Sequence, residues 1–272
     1  MKILGNRIDE FARDDSPNVS GRLVDPRFIV MHYTAGATAQ GAIATLKDPN
    51  VRGKPSAHVV IDRDGTGTQL VPFDLIANHA GVSFWQGFTN LNRYSIGIEL
   101  VDVGWVRKRA DGKWRTDAGV AVRAAEVVVA RHRNGGEELG WQTYPATQLD
   151  CAQAACLALL DEYRSLRGIT GHDWIAPGRK LDPGPAFPDR RFANLVEGRS
   201  DPPPDSQIFE TAAHQLNVRG GPGTEFEKLE WGPLPFGTRV RVVSERGDWR
   251  RIELPDGQDR VGWVHSDFLR AL

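Results

Sequence analysis

A chain of 272 residues with 40% hydrophobic and 25% charged residues has the composition of a folded globular protein, which excludes a disordered or fibrous one. The net charge of -1 hides no opposed halves, because the segment from Ile208 onward carries nine Lys/Arg against ten Asp/Glu, so nucleic-acid binding driven by bulk charge is not expected. No run approaches the roughly 18 apolar residues of a membrane span, so no membrane insertion is expected, and MKILGNRIDEF lacks the apolar stretch of a secretory signal.

In chain order, Phe28 to Met31 (FIVM) reads as a short buried strand that ends in His32 before the polar TAGAT. Ser56 to Asp62 and Thr68 to Val71 flank RDGTG and read as a hairpin turning at Asp64-Gly65. Ser95 to Val101 (SIGIELV) is a further strand, with Ile96, Ile98 and Leu100 on one face and Gly97 and Glu99 on the other. Asp111-Gly112 between Trp105 and Trp114 predicts a surface hairpin. Asp117 to Arg133, rich in Ala and Val, and Ala146 to Arg167, with Leu149, Ala152, Cys156, Leu159 and Tyr163 at helical spacing, both predict helices, the second stopped by Gly168. Cys151 and Cys156 lie five positions apart on that helix, about 140° around its axis, and are not placed to form a disulfide. An α/β fold follows, a mixed central sheet flanked by helices.

The composition breaks at SDPPPDS, Ser200 to Ser206, a stiff and solvated connection. The boundary divides a domain at 1–199, a linker at 200–207 and a tail at 208–272. The tail alternates short β-branched runs with Gly, Pro and Asp turns and has no helical period, which predicts a small β-barrel.

One segment demands fixed geometry. TGHDWIAPGRKLDPGPAF, Thr170 to Phe187, carries a His, a Lys and an Asp among prolines that forbid a helix interior or a central strand. A catalytic metal site needs three protein ligands and one open position. His32 at a strand end, His172 after Gly171 and Asp182 in the proline-stiffened loop are candidates for that set, although His-x9-Asp alone is also compatible with a structural His and an Asp that caps a turn.

VMHYTAG at 30–36, SAHVVIDRDG at 56–65, NHAGVSFWQG at 78–87, NRYSIGIEL at 92–100 and GHDWIAPGRKLDPGPAF at 171–187 occur in the order seen in zinc-dependent N-acetylmuramoyl-L-alanine amidases of the type 2 class. The region from about residue 25 to 195 thus resembles phage lysozyme-type amidases and peptidoglycan recognition proteins. The resemblance implies that His32, His172 and Asp182 bind Zn2+, that Glu99 is the catalytic acid/base and that Lys180 is the catalytic cation. Its implied reaction is hydrolysis of the amide between N-acetylmuramic acid and L-alanine, in peptidoglycan or in muropeptides. It also implies that His58, His79 and Trp85 line the substrate groove, while the residues themselves leave open a core role for each. Asn78 departs from the aromatic residue often found before HAG. Glu99 and Lys180 also admit blander readings, a solvated edge carboxylate and a partner of Asp173. His132, His214 and His265 have no motif support and are expected at the surface.

LNVRGGPGTEF, GDWRRI and GWVHSDFL in the tail resemble bacterial SH3-like domains, which implies attachment to the cell wall. Trp249 and Trp263 are candidates for ligand contact or for packing of the small barrel. A second reading of the whole chain is a non-catalytic peptidoglycan-binding or sensing protein on the same fold, which would not need Glu99 and Lys180 beside a complete ligand set. Action on the wall without a signal peptide fits a phage endolysin released by a holin, a recycling enzyme in the cytoplasm or an effector with its own export route.

Overall fold

In a computed structural model the described residues are 1–196, 208–254 and 260–271. The chain forms two compact units, Met1–Arg199 and Ser200–Leu272. The proline-rich connection expected at 200–207 lies outside the described residues.

The first unit is organised by a mixed six-stranded sheet in the order Gly168–Gly171, Phe28–Tyr33, Ser95–Leu100, Val59–Ile61, Gly67–Gln69, Ala12–Arg13. The first four of these run parallel, and the hairpin of Val59–Ile61 with Gly67–Gln69 closes through a turn in which the Gly65 amide donates to the Asp62 carbonyl. Alternation of side chains puts Ile29, Met31, Ile96, Ile98 and Leu100 on one face, where they form a single core with Ala152, Ala155, Cys156, Leu159 and Leu160 of the helix Ala146–Glu162. The opposite face carries Phe28 and Val30, packed with Ala80, Leu91 and Ile175. His32 and Glu99 continue that second face.

Two sequence expectations change. Asp117 to Arg133 is not a helix: it holds strands Ala121–Val122 and Val127–Arg131 around a single 3-10 turn. Val127 to Val129 are β-branched and pair antiparallel with Glu138–Gln142, and that pairing outweighs the helical preference of the alanines. With Trp105–Lys108 and Trp114–Arg115, the expected hairpin, these strands make a second, five-stranded sheet. The helix from Ala146 ends at Glu162 rather than near Gly168, which instead opens the edge strand of the main sheet. TAGAT leads into a helix, Ala39–Lys47, capped by Thr38, whose hydroxyl accepts from the Gly41 amide. Both cysteines are free thiols.

The second unit is a five-stranded antiparallel sheet in the order Val261–His265, Trp249–Glu253, Arg239–Arg246, Ile208–Thr211, Leu269–Ala271. Its core consists of Leu216, Val218, Leu234, Val240, Val242, Ile252, Leu254 and Val264, while Trp249 and Trp263 are half-buried.

Candidate metal centre

Three adjacent parallel strands deliver the site at their carboxyl ends, where ligand sites of α/β sheets form. Glu99 pairs in register with His32, and Gly171 pairs with Met31, so His172, His32 and Glu99 stand in one row across the sheet. Asp182 reaches the row from the loop, because the Asp173 amide donates to the Asp182 carbonyl at 2.7 Å and the Tyr144 hydroxyl donates to the Pro183 carbonyl at 2.7 Å. Gly171 makes this closure possible: a Cβ there would lie 2.5 Å from the Asp173 carboxylate and 2.6 Å from the Pro183 ring.

The result is a triangle of donor atoms. His32 Nδ1, His172 Nδ1 and Asp182 Oδ2 are each 2.9 Å from the other two, and all three residues are buried. His172 Nε2 faces the Ala80 carbonyl at 3.0 Å, and a carbonyl only accepts, so the Nε2 atom carries the hydrogen. Arg179 Nη2 also approaches that nitrogen, at 3.4 Å, but its two hydrogens go to the Ala80 and Val82 carbonyls, each at 2.7 Å. The His172 Nδ1 of a neutral ring is therefore a lone pair, aimed at a carboxylate oxygen. Burial is the main cause that pushes His32 down to about 4, so His32 is neutral at neutral pH.

Lone pairs that converge without enough hydrogens between them call for a cation. Two imidazole nitrogens and one carboxylate oxygen are a donor set of the kind that holds catalytic zinc. Three tetrahedral ligands about 2.0–2.2 Å from zinc lie roughly 3.3–3.6 Å from one another, so edges of 2.9 Å need only a slight spreading of the donors. The residues present fit the ion. Among the described residues, these three form the group that can hold a metal.

Glu99 is half-exposed as a residue, yet its Oε2 is buried with no hydrogen-bond partner among the described residues. Burial first, then the negative charge of Asp182, pushes its carboxyl well above the usual range, and the positive charge of Lys180 opposes this. The charge of Lys180 acts on His32 as well as on Glu99. Asp173 is not its partner: the Asp173 carboxylate accepts from His132 Nε2 at 3.1 Å and lies 3.4 Å from Arg133 Nε.

The three residues expected in a substrate groove separate. His58 is fully buried, and both ring nitrogens are committed to backbone, Nδ1 accepting from the Gly97 amide and Nε2 facing the Leu75 carbonyl, both at 3.0 Å. It has no free edge to offer a substrate and belongs to the core between strands. His79 is partly exposed and packs against His32, its Nδ1 3.0 Å from His32 Nε2. Trp85 is half-buried, 6.0 Å from the exposed Trp174, and the two line a cavity of about 230 Å3 with Thr170, Phe187 and Phe192.

Sequence reading missed His132, which was expected at the surface and is instead buried against Asp173, with burial lowering its pKa. It also missed Asn92, whose Oδ1 accepts from the His79 and Ala80 amides at 3.0 and 2.6 Å, and Arg179, which grips the carbonyls of the same loop. NRYSIGIEL and APGRKLD contained both residues, but nothing in their spacing distinguishes a loop clamp from a solvated polar side chain. His214 is exposed, and His265 is partly exposed with its ring 5.5 Å from that of Trp249.

Residues 22–185 match the family model described as N-acetylmuramoyl-L-alanine amidase. The chain belongs to that family. Residues 214–270 match the bacterial SH3 domain. The amidase region is 38% identical over 142 residues to 1,6-anhydro-N-acetylmuramyl-L-alanine amidase AmpD of Escherichia coli K12, a match that covers 52% of this chain and 58% of AmpD. It is 32% identical over 171 residues to N-acetylmuramoyl-L-alanine amidase AmiD of the same organism, covering 61% of this chain and 52% of AmiD. The chain thus spans somewhat more than half the length of these curated amidases. A crystal structure of a selenomethionine derivative of AmpD superposes with a TM-score of 0.53 at 29% identity, covering 72% of this chain and 99% of that one.

Proposed function

We propose that the first unit is a zinc-dependent N-acetylmuramoyl-L-alanine amidase, which hydrolyses the amide between the lactyl group of N-acetylmuramic acid and the L-alanine of the stem peptide. The observation that carries this reading is the triangle of His32, His172 and Asp182, whose donor atoms are 2.9 Å apart, beside a carboxylate with a buried, unpartnered oxygen. When bound, zinc supplies Lewis acidity that brings the pKa of water from 15.7 to about 7.

Glu99 takes the proton of the attacking water and returns it to the leaving amine of L-alanine, a role suited to a carboxyl whose pKa lies above the ordinary range. Lys180 offers its ammonium to the oxygen of the attacked carbonyl as negative charge develops there. Trp85, its ring 6.0 Å from that of Trp174, offers an apolar ring suited to a sugar or a peptide face. The second unit, with Trp249 and Trp263 half-exposed, serves as a wall tether that raises the local concentration of substrate without new catalytic contacts. AmpD and AmiD are named for this same bond, which supports the assignment of substrate class.

Mass spectrometry of purified sacculi and of soluble muropeptides after incubation with the full chain tests the reading. Free stem peptides that begin with L-alanine are expected, together with glycan lacking them. Products of glycosidic or interpeptide cleavage would overturn it, and binding to sacculi without any product would favour a sensing protein.

A further inference from the structure

The loop His79 to Val82 performs no step in the mechanism above, yet it touches both histidines of the triangle. His79 Nδ1 lies 3.0 Å from His32 Nε2, and the Ala80 carbonyl lies 3.0 Å from His172 Nε2. We infer that His79 is a positioning residue for His32: it accepts the Nε2 hydrogen of His32 and so fixes the tautomer whose Nδ1 lone pair points at His172 and Asp182. This rests on the reading of those residues as a metal centre.

The direction of the His79 hydrogen bond follows from Ser95. His79 Nε2 faces the Ser95 carbonyl at 3.4 Å and the Ser95 hydroxyl at 3.3 Å. A carbonyl only accepts, and the single hydroxyl hydrogen of Ser95 is spent on the Leu91 carbonyl at 2.5 Å. Both atoms facing His79 Nε2 are therefore acceptors, Nε2 carries the ring hydrogen, and Nδ1 is left as a lone pair. His32 Nε2 must then donate, which turns a lone pair toward the triangle. The imidazole of His58, 5.9 Å from that of His79, does not compete, since both its nitrogens are bound to backbone.

The ring is also held in place. Gly97 lies beneath it, and a Cβ there would approach His79 Cγ to 2.5 Å. Asn92 holds the backbone amides of His79 and Ala80, and Arg179 holds the carbonyls of Ala80 and Val82. A hydrogen-bond partner on the outer nitrogen of a ligating histidine fixes its orientation, and its loss typically costs about 10–100-fold in metal affinity.

The test uses the full chain with 15N-labelled histidine and has two readouts: the tautomer of His32 by long-range 1H–15N correlation in metal-free protein at neutral pH, and zinc affinity by competition with a chromophoric chelator. The parent is expected to show the Nε2–H tautomer at His32. In His79→Ala that signal becomes a mixture and zinc affinity falls about 10–100-fold. His79→Gln, whose amide oxygen still accepts, recovers most of the affinity. Gly97→Ala, which keeps His79 but displaces its ring, shifts both readouts in the direction of His79→Ala and carries the test should that variant not fold. An unchanged tautomer and affinity in His79→Ala or in Gly97→Ala would overturn the inference, as would an equal loss in His79→Gln and His79→Ala. Failure of the parent to bind zinc would refute the metal centre instead, while the tautomer in metal-free protein would still report on His79.

Discussion

Glu99 occupies its position because strand alternation puts it on the face opposite Ile98 and Leu100 and because parallel register sets it beside His32. The same placement strands one carboxylate oxygen in a buried setting, which costs stability in exchange for a carboxyl poised to handle protons. Its folded pKa lies above the unfolded value, so its stabilising protonated form is fully present below the ordinary carboxylate range and is lost as pH rises through the folded pKa. Glu99→Gln should therefore lower turnover of muropeptides about 10²–10⁴-fold while raising the denaturant midpoint of metal-free protein at neutral pH, an advantage that disappears at a pH below about 4. A midpoint difference independent of pH would contradict the buried-carboxyl account. The candidate ligands His32, His172 and Asp182 were legible through motifs that resemble those of type 2 amidases, while their spacing alone left structural roles open. His58 and His132 were not legible: a histidine that satisfies the backbone and one that meets a substrate have the same one-letter code, and only burial separates them.

At the scale of elements, the strands FIVM and SIGIEL and the helix from Ala146 follow from hydrophobic period, because each has one face against the same core. Leu159 is fully buried in that core, whereas Leu157 is 47% exposed. Leu159→Ala is expected to cost about 2–5 kcal/mol in chemical denaturation, and Leu157→Ala to stay within about 0.5 kcal/mol. Equal losses would mean that the helix presents another face. Asp117 to Arg133 misled the reading of period because AVRAAEVVVAR sets four valines among seven good helix formers. Pairing with Glu138–Gln142 decided the outcome, together with the Trp141 indole, which donates to the Ala130 carbonyl at 3.0 Å. Such pairing joins residues whose partnership no local window contains. Ala39–Lys47 was hidden for a related reason, since its nine residues are mostly small or polar and bury only Leu46.

At the scale of the whole molecule, chain order and catalytic order differ: His32, Glu99 and the 172–182 segment are far apart in sequence and meet because three parallel strands end side by side. The fold needs no disulfide to hold them, and the second unit has a hydrophobic core of its own. The chemistry proposed for the first unit depends throughout on one divalent cation held by two imidazoles and a carboxylate. Metal content of the purified, dialysed protein measured by plasma mass spectrometry tests that claim most directly. One zinc per chain is expected in the parent and close to none in His172→Ala or Asp182→Ala; a metal-free parent, or unchanged zinc in both variants, would contradict it.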